Sequence, residues 1–293
     1  MLLRRDHRGV LAIGQPSHAW LSAQLARAWG NARFGEVVPR EEVCLAACQH
    51  DTGMAAWDLL PAQDPDSGLP RDFMHMELDV HLELWRQGPR RLVRQCRYAA
   101  LLVSLHGTRL YEWRLRRQPA SSAPPPDRSR GGASDQLDDA TAAKIHAFIA
   151  EQRALQQRLL DALRADPATA TNATPELVAR NSDLIWTWDY LSLALCLGWP
   201  PRAAEAVPTA GAPVQLHLRE VGGGRVLLHP WPFAVPELTV RCEGQRLAER
   251  YPSENALRAA LENAPWETLE WRLAPEGDEA RSAYAPASPA HGA

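Results

Sequence analysis

The chain has 293 residues, enough for one large domain or a main domain with a smaller companion. Hydrophobic residues make up 45% and charged residues 23%, which excludes a wholly disordered chain. With 32 Lys and Arg against 35 Asp and Glu, the net charge is −3, and neither a nucleic-acid footprint nor a polybasic membrane patch is expected.

Apolar spacing predicts six helices in the first two thirds of the chain. His18–Trp29 sets Leu21, Leu25, Ala28 and Trp29 on one face, with Ser17 as N-cap. Arg40–Gly53 carries Val43, Ala46 and Ala47, and its first turn holds Glu41 and Glu42, where the helix dipole favours acids. Pro61–Pro70 is turn chemistry. Asp79–Gln87 is a short helix, and Pro89–His106 follows through Leu92, Val93, Cys96 and Val103 to an expected stop at Gly107. Residues 119–134 form a low-complexity insert rich in Pro, Ser and Gly, expected to be mobile. Asp138–Arg164 is the longest helix, striped by Ile145, Phe148, Ile149, Leu155, Leu159 and Leu163. After a loop at Pro167–Pro175, a last long helix runs Pro175–Leu197 and ends at Gly198.

Beyond Pro200 the period changes to two. Val214, Leu216 and Leu218, the Gly222–Gly224 turn, then Val226 and Leu228 read as a hairpin. Leu238, Val240 and Cys242 predict a third strand, Ser253–Asn263 a short helix, and Leu269, Trp271 and Leu273 a final strand. The expected fold is mainly α: a helical bundle over 10–200, a small α+β unit over 211–275 packed on it, and a disordered tail over 276–293. The five Cys form no CxxC pair and are expected as free thiols. Apolar runs such as Leu191–Trp199 are too short to span a bilayer, and no signal segment opens the chain, so a cytoplasmic location without a membrane partner is expected.

The chemistry concentrates in His50-Asp51, an imidazole and a carboxylate side by side at a helix end. Both suit one divalent ion, and a carboxylate can also bridge two. His18, His81 and His106 each lie on a different predicted helix, and a bundle can turn such residues into one interior site. Asp189 stands inside the apolar run IWTWDYLSLALCL, where a carboxylate is costly to bury without a metal or cation. His75 competes with His81 but lies in an irregular, Met-flanked stretch. Asp58, Arg109 and Glu112 follow His50 and His106 closely and are candidates to line the site, with Trp57 as an aromatic wall. His229 in HPWPF reads as part of a rigid turn. Mixed His and carboxylate ligands suit Fe, Mn or Zn.

The stretches IGQPSHAWLSAQLARAWGN, PREEVCLAACQHDTGMAAWD, YAALLVSLHGTRLY, EQRALQQRLL, WDYLSLALCLGW and HPWPF resemble a bacterial family, domain of unknown function 3891, over roughly residues 10–275. More distantly, the series His18, His50-Asp51, His81, His106, Asp189 resembles the HD superfamily of metal-dependent phosphohydrolases. That resemblance implies an HD-like helical bundle holding one or two metals. It places His18, His50, Asp51 and Asp189 on the first ion, Asp51 as bridge, and His81 and His106 on a second. A metal-activated water is then the nucleophile. Many HD phosphohydrolases follow the doublet with Gly and Lys, whereas here Gly53 precedes Met54 and the one lysine is Lys144. The leading expectation is a metal-dependent hydrolase of a small molecule, phosphorylated or not. The alternatives are a di-iron oxygenase on the same residues and a non-catalytic metal-binding or scaffold protein. Substrate, ion number and oligomeric state stay open at this stage.

Overall fold

The computed structural model describes residues 1–116, 138–199, 202–248 and 250–277. The expected mobile insert at 119–134 lies outside them, as does all but the first two residues of the 276–293 tail.

Two strands that the sequence reading did not foresee open the chain: β1 (Leu2–Asp6) and β2 (Gly9–Ile13). Then come α1 (Gln15–Ala28), α2 (Arg40–Gln49), the short α3 (Ala55–Leu59), α4 (Leu78–Leu92), α5 (Arg97–Arg116), α6 (Asp139–Ala165) and α7 (Pro175–Leu197). The rest is four strands in succession, a helix and a last strand: β3 (Arg202–Val207), β4 (Val214–Gly222), β5 (Arg225–His229), β6 (Leu238–Leu247), α8 (Glu254–Asn263) and β7 (Trp266–Pro275). All seven strands share one mixed sheet in the order β1-β2-β6-β7-β5-β4-β3, with β5 and β7 parallel and the other pairs antiparallel. The molecule is therefore an α/β fold, not the mainly helical bundle that the sequence predicts.

The cause of that misreading is visible in β2. Leu11 and Ile13 enter the large core shared with the helices, while Val10 and Ala12 enter a second core with Leu247, Leu257 and Leu261. A strand buried on both faces shows an unbroken apolar run and no alternation. β3 hides for another reason: it is short, and its pairing with β4 shifts between Ala204 and Val207.

Helices α1 and α7 lie against the sheet, and α2, α5, α4 and α6 stack outward from them. Two expected boundaries also move. Pro89 sits inside α4, and α5 passes through Gly107 instead of stopping there. Gly107 serves packing: a Cβ on it would stand 2.7 Å from Cε3 of Trp85 on α4. By contrast, α7 ends where expected, on Gly198 in the left-handed conformation. The HPWPF turn packs Phe233 edge-on against Trp29 at the end of α1. All five cysteines are free. Among the described residues, no helix is long and apolar enough to cross a membrane.

Candidate metal centre

His18 projects from the first turn of α1 and is 1% exposed. Two devices place it. α1 has no side-chain cap of its own, and Asp58 of α3 substitutes by accepting the Gln15 N–H at 2.5 Å. Below His18, Ser192 Oγ meets its Nδ1 at 2.8 Å.

His50 ends α2, and Asp51 leaves the helix at φ −102°, ψ 18°. Neighbours on a helix point about 100° apart. Breaking the helix between them lets both face one centre. The turn from Thr52 to Met54 packs so tightly on α4 that a Cβ at Gly53 would stand 2.1 Å from the Leu84 carbonyl oxygen. Gly53 is therefore fixed by close backbone approach. Met54 is 1% exposed in a cluster with Leu82, Trp85, Tyr111 and Phe148. A lysine at that position would point into this core.

Asp189 of α7 completes the group. His18 Nε2 lies 3.1 Å from His50 Nε2, 3.3 Å from Asp51 Oδ2 and 3.1 Å from Asp189 Oδ1. His50 Nε2 lies 3.5 Å from Asp51 Oδ2 and 3.3 Å from Asp189 Oδ1. A tetrahedral ion with bonds of about 2.0–2.1 Å sets its ligands about 3.3–3.4 Å apart, and an octahedral one about 2.9–3.0 Å. The separations here run from 3.1 to 3.5 Å, around the tetrahedral value. The donor chemistry fits too. His50 Nδ1 reaches the Ala47 carbonyl at 2.9 Å; a carbonyl accepts only, so in the neutral ring Nδ1 carries the proton and Nε2 presents a lone pair to the centre.

The opposed lone pairs and carboxylates demand positive charge. Burial pushes the His50 imidazolium down, but Asp51 and Asp189 outweigh it and raise the pKa to about 9. Burial likewise opposes charge on His18, and Asp189 and Asp51 raise its pKa above the usual value. Asp189 is held well below the carboxylate range: burial works against this, but His106, His18 and His50 prevail. At 17% side-chain exposure Asp189 is the most open of the four.

His106 of α5 stands at the other oxygen, with Nε2 3.3 Å from Asp189 Oδ2. Its ring packs between Trp85 and Trp186, at 5.6 and 5.5 Å between centroids. Two overlapping ligand groups result: His18, His50 and Asp51, and His50, His106 and Asp189. Asp189 therefore spans both sides of the centre, the position that the HD resemblance assigns to Asp51.

The structure does not bring His81 to either group. Trp85 Nε1–H donates to its Nε2 at 3.0 Å, which leaves Nδ1–H for the Tyr111 hydroxyl at 2.7 Å. Burial pushes its pKa down to about 4, and no lone pair remains for an ion. His75 is exposed and bonded to Asp72. Arg109 donates to Asp183 at 2.5 Å and stacks 4.7 Å over Trp186, one ring removed from His106. Glu112 accepts from Arg153 at 2.7 Å, and Trp57 packs on the Met54 cluster. The sequence reading passed over Ser22 and Ser192, although each lies one helical turn from a ligand on the same face: Ser22 after His18, Ser192 after Asp189.

A family model described as protein of unknown function (DUF3891) matches residues 1–249, and the chain belongs to that family. No curated protein and no solved structure matches it.

Proposed function

We propose that this member of the DUF3891 family is a metal-dependent hydrolase of HD type acting on a small molecule, phosphorylated substrates included. The observation that carries this reading is the convergence of His18 Nε2, His50 Nε2, Asp51 Oδ2 and Asp189 Oδ1 at ligand spacing. Support also comes from the order of these residues along the chain, through its resemblance to the HD superfamily. A divalent Fe, Mn or Zn ion in that position supplies hydroxide at neutral pH, by lowering the pKa of water from about 15.7 toward about 7.

The chain's own groups have separate tasks. Asp51 and Asp189 balance the charge of one divalent ion. His106, donating from Nε2–H, holds Asp189 through its second oxygen. Trp85 and Trp186 flank His106 and keep water off that side. Substrate approaches past Asp189.

One ion is favoured over two. His50 has a single lone pair for the centre, because Ala47 fixes its other nitrogen, and both ligand groups need that lone pair. A second ion is left with His106 and Asp189 Oδ2, since His81 is engaged elsewhere. This makes the di-iron oxygenase the weaker reading.

The test is to purify the protein without chelator, count Fe, Mn and Zn per chain, and assay a panel of phosphate esters. About one equivalent is expected, lost in His50→Ala and Asp51→Ala together with turnover. Less than ~0.3 equivalents, with no rebinding of Mn, Fe or Zn, overturns the reading. One bound ion without turnover of any ester leaves the non-catalytic binding protein. Substrate-dependent oxygen uptake with iron bound favours the oxygenase.

A further inference from the structure

A layer of two serines lies directly beneath the ligands, one helical turn along α1 and α7. Ser22 Oγ and Ser192 Oγ are 2.8 Å apart, 1% and 0% exposed. Ser192 Oγ also lies 2.8 Å from the Asp189 carbonyl and 2.8 Å from His18 Nδ1. A hydroxyl has one hydrogen and two lone pairs, and the partners here use all three. The carbonyl accepts only, so Ser192 spends its hydrogen on the Asp189 carbonyl. Its lone pairs then take the Ser22 hydroxyl hydrogen and the His18 Nδ1–H. Ser22 has other acceptors in reach, the Trp188 carbonyl at 3.3 Å and the His18 carbonyl at 3.5 Å, but both are longer.

We infer that Ser192 is a positioning residue that fixes the tautomer of His18, placing the proton on Nδ1 and the lone pair of Nε2 toward the centre. This rests on the metal reading above and adds a residue to it. His50 obtains the same result from a backbone carbonyl, which no side-chain substitution removes. His18 depends on one hydroxyl that belongs to another ligand's helix. Ser192 thus ties the orientation of His18 to the placement of Asp189, three residues before it on α7.

Two measurements on the full chain test this. The first is zinc affinity, by chelator competition, for wild type, Ser192→Ala, Ser22→Ala and His18→Ala. Ser192→Ala is expected to bind about 10- to 100-fold more weakly, the usual effect of losing a partner behind a ligating histidine. Ser22→Ala leaves the His18 contact and loses less. The second is the His18 tautomer, from nitrogen shifts of histidine-labelled zinc-loaded protein, where a merely structural serine moves nothing. Wild type should carry the proton on Nδ1, and Ser192→Ala should lose that preference while His50 keeps it. A wild-type His18 protonated on Nε2 overturns the inference, whether or not Ser192→Ala folds. So does wild-type affinity in Ser192→Ala while His18→Ala loses zinc. If wild type takes up none of zinc, manganese and iron, the metal reading falls by itself. The His18 tautomer, read on metal-free protein at alkaline pH, then still decides the Ser192 contact.

Discussion

His50 divides its ring between two tasks, and the division sets how the centre answers to pH. Without an ion, His50 and His18 hold protons more firmly than a free imidazole. Burial works against the charge on each ring, yet Asp51 and Asp189 prevail at His50, which titrates at about 9. A raised imidazole pKa contributes stability that is complete below the ordinary value of 6.5 and is lost as pH rises through the folded value. Asp51 has the opposite sign. Its pKa is lowered, since His50 and His18 outweigh its burial, so its contribution is present above 3.8 and lost as pH falls. Metal-free protein should therefore be most stable between those two ordinary values and lose Tm as pH climbs through about 9. An ion takes the lone pairs as the protons leave, so zinc should flatten or reverse the alkaline loss. Melting curves from pH 5 to about pH 10, with chelator and with zinc, check this. Parallel curves contradict the ligand assignment.

Glycine contacts hold the elements that carry the ligands. At Gly53 a Cβ would stand 2.1 Å from a backbone oxygen of α4, and neither side can give without moving Asp51, two residues away. At Gly107 the nearest atom is the edge of the Trp85 ring at 2.7 Å, which can tilt. Gly53→Ala should cost about 2–3 kcal/mol and Gly107→Ala nearer to about 1 kcal/mol. Only the first should lower bound metal as well. Denaturant midpoints and metal counts on both variants decide it, and a reversed order is the failing result. At this scale the sequence was readable wherever one face is apolar and an end is marked. α7 has Pro175 and Gly198 at its two ends, and α6 has the Asp138 cap. Histidines and aspartates stand out against such faces and at their ends, and the structure brings His18, His50, Asp51, His106 and Asp189 into one cluster. His81 looked identical to them in the sequence. The available warning was Trp85, one turn along on the same face, whose indole N–H needs an acceptor. Ser192 has only its spacing from Asp189 as a signal, because a serine in a helix is ordinary until its neighbours across the interface are known.

The molecule as a whole rests the centre on the sheet, through α1 with His18 and α7 with Asp189. Leu2, Leu11 and Ile13 of the first two strands are fully buried in the same core as Leu21 and Leu25 of α1 and Ile185 and Leu191 of α7. The β6 strand grips α1 directly: Ser17 Oγ donates to the Glu243 carbonyl at 2.8 Å, and Gln24 exchanges bonds with the Arg241 backbone. Helices that share this core with strands from both ends of the chain have little apolar surface of their own to hold them. Residues 14–199 expressed alone should therefore show no cooperative unfolding and no bound metal. Leu11→Ala in the full chain should cost about 2–5 kcal/mol, since the site is closed on both sides. In wild type, tryptophan fluorescence, whose reporters include Trp29 and Trp188 on the helical side and Trp271 on β7, and far-UV dichroism should give one coincident transition. A 14–199 segment that melts cooperatively and binds zinc would return the centre to an independent helical bundle. The sheet would then be an attachment, not the floor on which the ligands are set.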